Sequence, residues 1–146
     1  MGIRGAVTSD WKSISVLLDQ LGYPDTERFI KDKLDRMLAH PDEEILVYEW
    51  DGVVVAFVSL HFIPQIGLEG EIARISYFAV DGSARSRGIG KEIEEYCVEA
   101  AKIRGCDRIE VHCHVRRADA HRFYERQGYR ESPKYFVKEI GKSQGE

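Results

Sequence analysis

The chain has 146 residues, 43% of them hydrophobic and 10% aromatic, so it can bury a core without disulfides or a structural metal. Lysine and arginine number 21 against 25 aspartates and glutamates; the net charge of −4 argues against a general nucleic-acid or anionic-membrane surface. The cysteines, Cys97, Cys106 and Cys113, lack the spacing of a disulfide framework or zinc site. We expect a cytoplasmic protein with no nucleic-acid or membrane partner, one domain over residues 1–140 and a disordered tail over 141–146.

Two amphipathic helices are predicted in the N-terminal third of the chain. The first follows Thr8 and Ser9, both candidate N-caps, and is stopped by Gly22. The second begins at Asp25 and ends before Pro41. Because each has one apolar face, both are expected to lie against a sheet.

A β-hairpin is predicted next, because two β-branched and aromatic-rich runs meet at Asp51-Gly52, a dipeptide that type I′ turns prefer. A strand "EIARISYFAV", a long helix "GIGKEIEEYCVEAAKIRG", a strand "RIEVHCHV" and a short helix "ADAHRFYERQG" follow. The final strand "YRESPKYFVKEI" contains Pro133, which indicates an edge or a bulge. The order β-α-α-β-β-β-α-β-α-β predicts a mixed α/β (α+β) sheet with about four helices packed on it.

An anion-binding loop is predicted in "DGSARSRGIG", between the strand that ends at Val80 and the long helix. A helix N-terminus presents unpaired N–H groups and a partial positive charge. Gly88 and Gly90 allow the backbone to approach a ligand closely, while Arg85 and Arg87 add charged donors. The loop is therefore expected to hold a phosphate group.

Two common nucleotide motifs do not fit this loop. A P-loop requires G-x-x-x-x-G-K-[ST], but here Lys91 is followed by Glu92. A dinucleotide fingerprint requires a third glycine where Ile93 stands. An ordinary glycine-rich helix start with surface arginines is the remaining structural alternative.

"RSRGIG" resembles the R/Q-x-x-G-x-G/A pyrophosphate loop of the GNAT superfamily of N-acetyltransferases. About thirty residues downstream, "AHRFYERQGY" resembles that family's A-x-x-F-Y-x-x-x-G-F/Y motif. The resemblance covers nearly the whole chain and implies the GNAT fold, with a mostly antiparallel central sheet. "VRRADAHRFYERQGYRES" with "FVKEI" is similar to the aminoalkylphosphonate N-acetyltransferase branch of the family.

The resemblance implies acetyl-CoA as cosubstrate. The loop would hold its pyrophosphate, and the strand before the loop would pair with its pantetheine arm as an added strand does. One position departs from the family, since Arg117 stands where an asparagine is frequent. The residues that the resemblance assigns to acetyl-CoA are Phe78, Ala79, Val80, Arg85, Ser86, Arg87, Gly88, Ile89, Gly90, Lys91, Arg117, Phe123 and Tyr124.

The catalytic assignments also follow from the resemblance. Tyr124 matches the family's general acid, since a phenol with a pKa of about 10 can protonate a departing thiolate whose pKa is about 8.5. An amine acceptor with a pKa near 10.4 is mostly protonated at neutral pH, so a base is useful. The family often places a glutamate where Ser76 stands. The substitutes are Glu71 first, and then His112 and His114, which are expected on one face of their strand.

The H-x-H pattern of these histidines raises a metal site, but no third ligand is identifiable, and no metal is predicted. An acceptor pocket of aromatic character is predicted from Tyr23, Phe62, Tyr77 and Tyr135, together with His61, which either reaches the acceptor cleft or caps the sheet. An anionic acceptor has candidate partners that the sequence does not rank: Arg74, Arg116 and Arg122.

The predicted activity is acetyl transfer from acetyl-CoA to a primary amine of a small molecule, by direct attack in a ternary complex. Two alternatives stay open: acetylation of a peptide or protein, and a non-catalytic acyl-CoA-binding regulatory module, which Ser76 in place of the expected glutamate favours. The expected partner is the small amine substrate. The sequence leaves a homodimer open as a further partner.

Overall fold

The structure, a computed structural model, describes residues 1–112, 118–132 and 135–141. His114 and Arg117, Pro133 and the predicted tail beyond Gly141 lie outside the described residues. The chain divides into two compact units, Met1–His112 and Cys113–Glu146. Over the described part of the chain, no helix has the length and apolar character needed to span a membrane.

Five strands in the described residues form one sheet, in the spatial order β1-β2-β3-β4-β5. Neighbouring strands run antiparallel, except that β4 and β5 are parallel. This arrangement confirms the mixed, mostly antiparallel sheet. The strands are β1 (Gly2–Gly5), β2 (Glu43–Trp50), β3 (Val53–Ile63), β4 (Ile72–Val80) and β5 (Arg108–Val111).

The helices confirm the predicted elements, but two of them begin differently. A 3₁₀ turn over Thr8–Asp10 precedes α1, so the N-cap predicted at Thr8 or Ser9 is wrong; the Asp10 carboxylate instead accepts from the Val7 N–H at 2.8 Å. A second 3₁₀ turn, Thr26–Arg28, delays the start of the next helix. The helices are α1 (Trp11–Leu21), α2 (Ile30–Leu38), α3 (Ile89–Ile103) and α4 (Ala118–Arg126).

The sheet has a hydrophobic core on each face. On one face, buried residues of α1 and α2 such as Leu17 and Leu34 pack with Val47 and Phe57. On the other face α3 packs its apolar stripe against β2, β3 and β4. Each fully buried side chain of this size contributes about 1.5–3 kcal/mol. These two layers hold β4 and the start of α3 in fixed relative positions.

The hairpin has the predicted turn, with Asp51 at φ 53° and Gly52 at φ 78°. Two bulges then alter the registers. Tyr48 pairs with Ala56 and Glu49 with Val54, so Val55 is an extra residue in β3. Ser59 pairs with Tyr77 and Leu60 with Ile75, so Ser76 is an extra residue in β4. The sequence shows neither bulge.

The final predicted strand is wrong for the part that the structure describes. Residues 129–132 and 135–141 contain no strand, and Tyr135, Phe136 and Val137 are exposed. The β-branched and aromatic pattern of "YFVKEI" favours an extended backbone, but a strand forms only where a neighbour supplies its hydrogen bonds. The pattern of a single segment does not report whether that neighbour exists.

Candidate functional site

The loop between β4 and α3 is fastened to the sheet and to α1 at its base. The Asp81 carboxylate accepts from the Ser83 N–H at 2.9 Å and from Gln20 Nε2 at 2.7 Å. Gln20, on α1, accepts in turn from the Gly82 N–H at 3.2 Å. The Asp81 N–H donates to the carbonyl of Val55, the bulged residue of β3, at 2.7 Å. The hydrogen bond from the Ser83 hydroxyl, with those from Gln20 and the Ser83 N–H, holds the pKa of Asp81 below its usual range.

Past this base, the loop takes a backbone conformation suited to an anion. Ser86 and Gly88 both have left-handed φ values, 68° and 78°, and Gly88 is the N-cap of α3. No side chain caps this end of α3 within the described residues, so its first N–H groups face the loop. Alternating left-handed and right-handed residues point successive N–H groups into one concavity. Holding Ser86 there costs about 1–3 kcal/mol, which is typical of a binding segment.

The two loop arginines are exposed and make no ion pair among the described residues. The guanidinium of Arg87 lies 5.0 Å from the centre of the Trp50 ring. Trp50 stacks on Tyr48 at 6.5 Å, and the Tyr48 hydroxyl donates to Glu92 Oε1 at 3.1 Å. This aromatic stack orients one arginine at the helix end and leaves its N–H donors available.

The strand before the loop is longer than its described pairing with β5. Among the residues that the structure describes, β5 pairs with Ile72–Ile75 of β4, and β4 runs on to Val80. Phe78 and Val80 pack toward the α3 core, whereas Ala79 lies in the core beside α1. The three residues assigned to acetyl-CoA on β4 therefore lie in the segment that leads directly into the loop.

The structure does not bring Glu71 to this loop. Glu71 lies 3.7 Å from Arg104, which also donates to Asp42 Oδ1 at 2.6 Å and lies 4.1 Å from the Phe62 ring centre. Arg104 follows the C-terminal end of α3, and a 15-residue helix rises roughly 22 Å. Glu71 therefore belongs to an ion-pair cluster at the far end of α3, and its assignment as the base stays a prediction that these contacts do not support.

The structure describes one of the two histidines that were assigned as substitute bases. His112 is exposed and directly follows Val111, the last residue of β5. The strand ends before the predicted H-x-H face, and His114 lies outside the described residues. No cluster of three or more metal-ligating side chains occurs in the ranges that the structure describes.

In the second unit, Tyr124 lies on α4 and is 8% exposed. Its ring makes edge contacts with Phe123 at 5.3 Å and with Tyr129 at 5.4 Å. The Tyr129 N–H donates to the Tyr124 carbonyl at 3.0 Å, after the helix has ended. Tyr135, assigned to the acceptor pocket, is 64% exposed.

Two of the predicted pocket aromatics do come together. Tyr23, just after α1, and Tyr77, on β4, meet edge to face at 5.2 Å. Burial, and to a smaller extent Tyr23, raises the pKa of the Tyr77 phenol. His61 lies on β3 and contacts Glu43 of β2. These residues belong to the face of the sheet that α1 and α2 cover in part.

Sequence analysis missed three residues that shape the site: Gln20, Glu43 and Trp50. Trp50 directly precedes the hairpin turn, but its sequence position does not indicate a contact with an arginine far along the chain. Glu43 is the first residue of β2. Counting back from the hairpin turn without a bulge would pair Glu43 with Leu60. The bulge at Val55 shifts the register by one residue, so that Glu43 pairs with His61.

The mixed sheet with helices on both faces defines an α+β fold, and the loop at the start of α3 has a backbone conformation suited to an anion. Residues 11–129 match the model of the family described as "Acetyltransferase (GNAT) family". The chain belongs to this acetyltransferase family.

The chain is similar to one curated relative and to several solved structures. The chain is 28% identical over 139 residues to an aminoalkylphosphonate N-acetyltransferase of Salmonella typhimurium, covering 94% of this chain and 90% of the relative. A putative acetyltransferase from Agrobacterium tumefaciens has a TM-score of 0.86 at 23% identity, covering 96% and 100% of the two chains. A transcriptional regulator from Bacillus halodurans also reaches 0.86, at 22% identity, with coverages of 94% and 98%. These two structures support the fold alone.

Proposed function

We propose that the protein transfers the acetyl group of acetyl-CoA to a primary amine of a small molecule. The observation that carries this proposal is the uncapped N-terminus of α3, reached through a loop with left-handed Ser86 and Gly88. Such a loop suits a diphosphate, because N–H groups, the helix dipole and two exposed arginines act on the same charge. Residues Arg85–Lys91 would hold the pyrophosphate of acetyl-CoA.

The backbone of Phe78–Val80 would receive the pantetheine arm. β4 leads straight into the loop, so a ligand anchored there extends back along this strand. Pairing of an extended arm with a strand supplies directional hydrogen bonds without side-chain specificity. The thioester would then lie near the bulge at Ser76, on the way to the acceptor.

A small amine is the acceptor that the relatives favour. The Salmonella relative is named for aminoalkylphosphonates, which carry an amine and an anionic phosphonate. On this chain, Tyr23 and Tyr77 offer apolar ring surface. Arg74 of β4 is 35% exposed at its side chain and donates to Glu110 at 3.1 Å. An amine bearing a compact anionic group matches this combination of charges.

The reaction would proceed by direct attack within a ternary complex. The neutral amine forms a bond to the acetyl carbon, and the carbon–sulfur bond to CoA breaks. Holding both substrates in one site replaces a bimolecular collision by a positioned attack. The released thiolate must then take up a proton.

Tyr124 is proposed as the donor of that proton. We expect Tyr124→Phe to lower kcat by about 10²-fold, since a positioned general acid contributes about 10²–10⁴-fold, while the dissociation constant for acetyl-CoA stays unchanged. Pre-steady-state acetyl transfer to the best amine, with binding measured by calorimetry, tests this role. Tyr129→Phe, which removes the hydroxyl of a ring in contact with Tyr124, is the matched control. Unchanged transfer when thiolate release is rate-limiting would contradict the assignment.

The activity itself is tested by measuring CoA release from acetyl-CoA across a panel of amines. The panel contains aminoalkylphosphonates, the matching aminoalkyl carboxylates, uncharged alkylamines and N-terminal peptides. We expect the aminoalkylphosphonates to react with the highest kcat/KM. Preference for the peptides would instead assign the protein to peptide acetylation.

A regulatory module that binds acyl-CoA without turning it over is a second candidate, favoured by Ser76, which offers no carboxylate at the bulge of β4. This candidate predicts tight acetyl-CoA binding by calorimetry with no CoA release for any amine. The two measurements together separate the candidates.

A further inference from the structure

His61 and Glu43 form a side-chain pair across two neighbouring strands. Their Cα atoms are partners in the β2–β3 register, and His61 Nδ1 contacts Glu43 Oε1. The side chains are 22% and 21% exposed, so the pair is shielded but reachable. Since Nδ1 faces the carboxylate, Nε2 is the ring nitrogen that remains for another partner.

The pair lies on the sheet face opposite α3. Leu60 and Phe62, the neighbours of His61 along β3, are buried in the α3 core. Because successive side chains of a strand alternate between faces, His61 projects to the other side. Tyr77, on the next strand, is on that side too, since it contacts Tyr23 next to α1.

The bulge of β4 adds Ser76 to the same face. Ile75 and Phe78 both pack toward α3, which leaves Ser76 and Tyr77 together on the opposite side. His61 pairs with Arg74, so Ser76 is its diagonal neighbour, with about 7–8 Å between such positions. An imidazole spans much of that separation. The position that lacks a carboxylate is therefore within reach of a histidine on the adjacent strand.

We infer that His61 is the general base of the acetyl transfer and that Glu43 positions it, which rests on the proposed function. The amine enters as an ammonium ion, and one of its protons passes to His61 Nε2 and then to solvent. The neutral nitrogen bonds to the acetyl carbon. As the carbon–sulfur bond breaks, a second proton leaves the nitrogen, and the CoA sulfur is protonated. Amide, free CoA and one proton are released.

The role of Glu43 is orientation. A carboxylate on Nδ1 fixes that proton in place, so the ring presents Nε2 as an acceptor. The charged and titratable groups on the strands around the imidazole are Glu43 from β2, with Arg74 and Tyr77 from β4. Glu110 of β5 lies beyond Arg74 and pairs with it. The pH dependence of the reaction is therefore expected to reflect this whole row of side chains.

The test compares His61→Gln with the wild type, using the best amine from the panel. We expect kcat to fall about 10²–10⁴-fold at neutral pH, while the dissociation constant for acetyl-CoA stays unchanged. The logarithm of kcat/KM should rise with pH at a slope of one in the variant, without the plateau of the wild type. In Glu43→Gln, kcat should fall by a smaller factor, and the profile of kcat/KM should still reach a plateau, at a different pH.

Two matched controls are available. Glu44→Gln changes the neighbouring carboxylate on β2, paired with Leu60, and His40→Gln changes an exposed histidine. Both should retain wild-type kcat, and the free energy of unfolding is measured for all variants.

If folded His61→Gln kept the wild-type pH profile and kcat, the inference about His61 would be overturned, and the proposed function would stand. If that variant does not fold, an unchanged profile and kcat in Glu43→Gln overturn the pair as the catalytic device. Absence of turnover by the wild type with every amine would overturn the proposed function, and the inference with it.

Discussion

The two ends of α3 use arginine in opposite ways. At the C-terminal end, Arg104 donates to Asp42 and the Pro41 carbonyl, lies near Glu71, and stacks over Phe62. At the N-terminal end, Arg85 and Arg87 are exposed, and neither pairs with a carboxylate of the described residues. The arginine at the C-terminal end donates its hydrogen bonds within the protein, whereas the two at the N-terminal end keep N–H donors that a ligand can use.

The helix dipole explains why this difference matters. A cation stabilises the C-terminal end of a helix by about 0.3–1 kcal/mol and is disfavoured by a similar amount at the N-terminal end. Arg104 therefore contributes to stability. The dipole disfavours Arg85 and Arg87, and the contact of Arg87 with Trp50 offsets part of that cost. Cations at this end of the helix suit the anionic ligand of the proposed function. The predictions below test this separation of roles.

The largest expected effect is on acetyl-CoA binding. Replacing Arg85 and Arg87 with alanine should raise the dissociation constant about 100-fold, since each lost charge-assisted contact costs about 1.4 kcal/mol. Isothermal titration calorimetry measures this change. Thermal stability should change little, because the removal of two cations from the positive end of α3 offsets the loss of the contact between Arg87 and Trp50.

Lys102→Ala is the matched control for charge, because Lys102 is a 69% exposed cation of α3 near its other end. It should bind acetyl-CoA as the wild type does. Equal affinity in the double variant would remove the assignment of the loop to the pyrophosphate.

Arg104→Ala should have the converse effect. We expect the free energy of unfolding to fall by about 1–2 kcal/mol, because the variant loses two hydrogen bonds and a cation–π contact and leaves Asp42 and Glu71 without their cation. Urea denaturation followed by circular dichroism measures the change. Acetyl-CoA affinity should be unaltered; a loss comparable to that of the loop variant would show that the two ends are not independent.

The smallest expected effect is on the free energy of unfolding. It comes from Asp81, at the start of the loop, and it depends on pH. The pKa of Asp81 is lowered from 3.8, chiefly by the Ser83 hydroxyl, so its ionised form stabilises the folded state. This contribution is complete above the unfolded pKa and is lost as the pH falls through the lower folded pKa. Asp81→Asn should cost about 1 kcal/mol at pH 7 and little near pH 2.

Unfolding free energies of Asp81→Asn and wild type, measured between pH 2 and pH 7, test this. Asp19→Asn, on the exposed side of α1, is the control and should follow the wild-type curve. A destabilisation that is independent of pH would mean that Asp81 acts through shape rather than charge.

Much of the fold follows from local patterns. The apolar spacing of α1, α2 and α3 and the Asp51-Gly52 turn predicted these elements and their order. The final strand is not formed over residues 129–132 and 135–141, since a strand requires a partner that its own residues do not specify. Helix starts were displaced by 3₁₀ turns, which compete with α-helix over the first few residues.

The candidate site also has one part that the sequence predicts and another that it does not. The loop residues are contiguous, so the glycines, the arginines and the helix that follows them were predicted from the sequence alone. The sequence did not show where Glu71 lies, because its partner Arg104 is distant in the chain and holds it at the other end of α3. The sequence did not indicate Trp50 either, because its contact with Arg87 joins two segments that are distant in the chain.

The sequence by itself determined the family, the order of elements as far as α4 and the glycine- and arginine-rich loop before α3, all of which depend on residues near one another in the chain. Only the tertiary structure decided which side chains share the sheet face opposite α3. The bulge at Val55 shifts β2 against β3 by one residue, which pairs Glu43 with His61, and the bulge at Ser76 turns that residue and Tyr77 to the same side. A one-residue shift reverses the face of every later side chain, and packing across the whole sheet selects it.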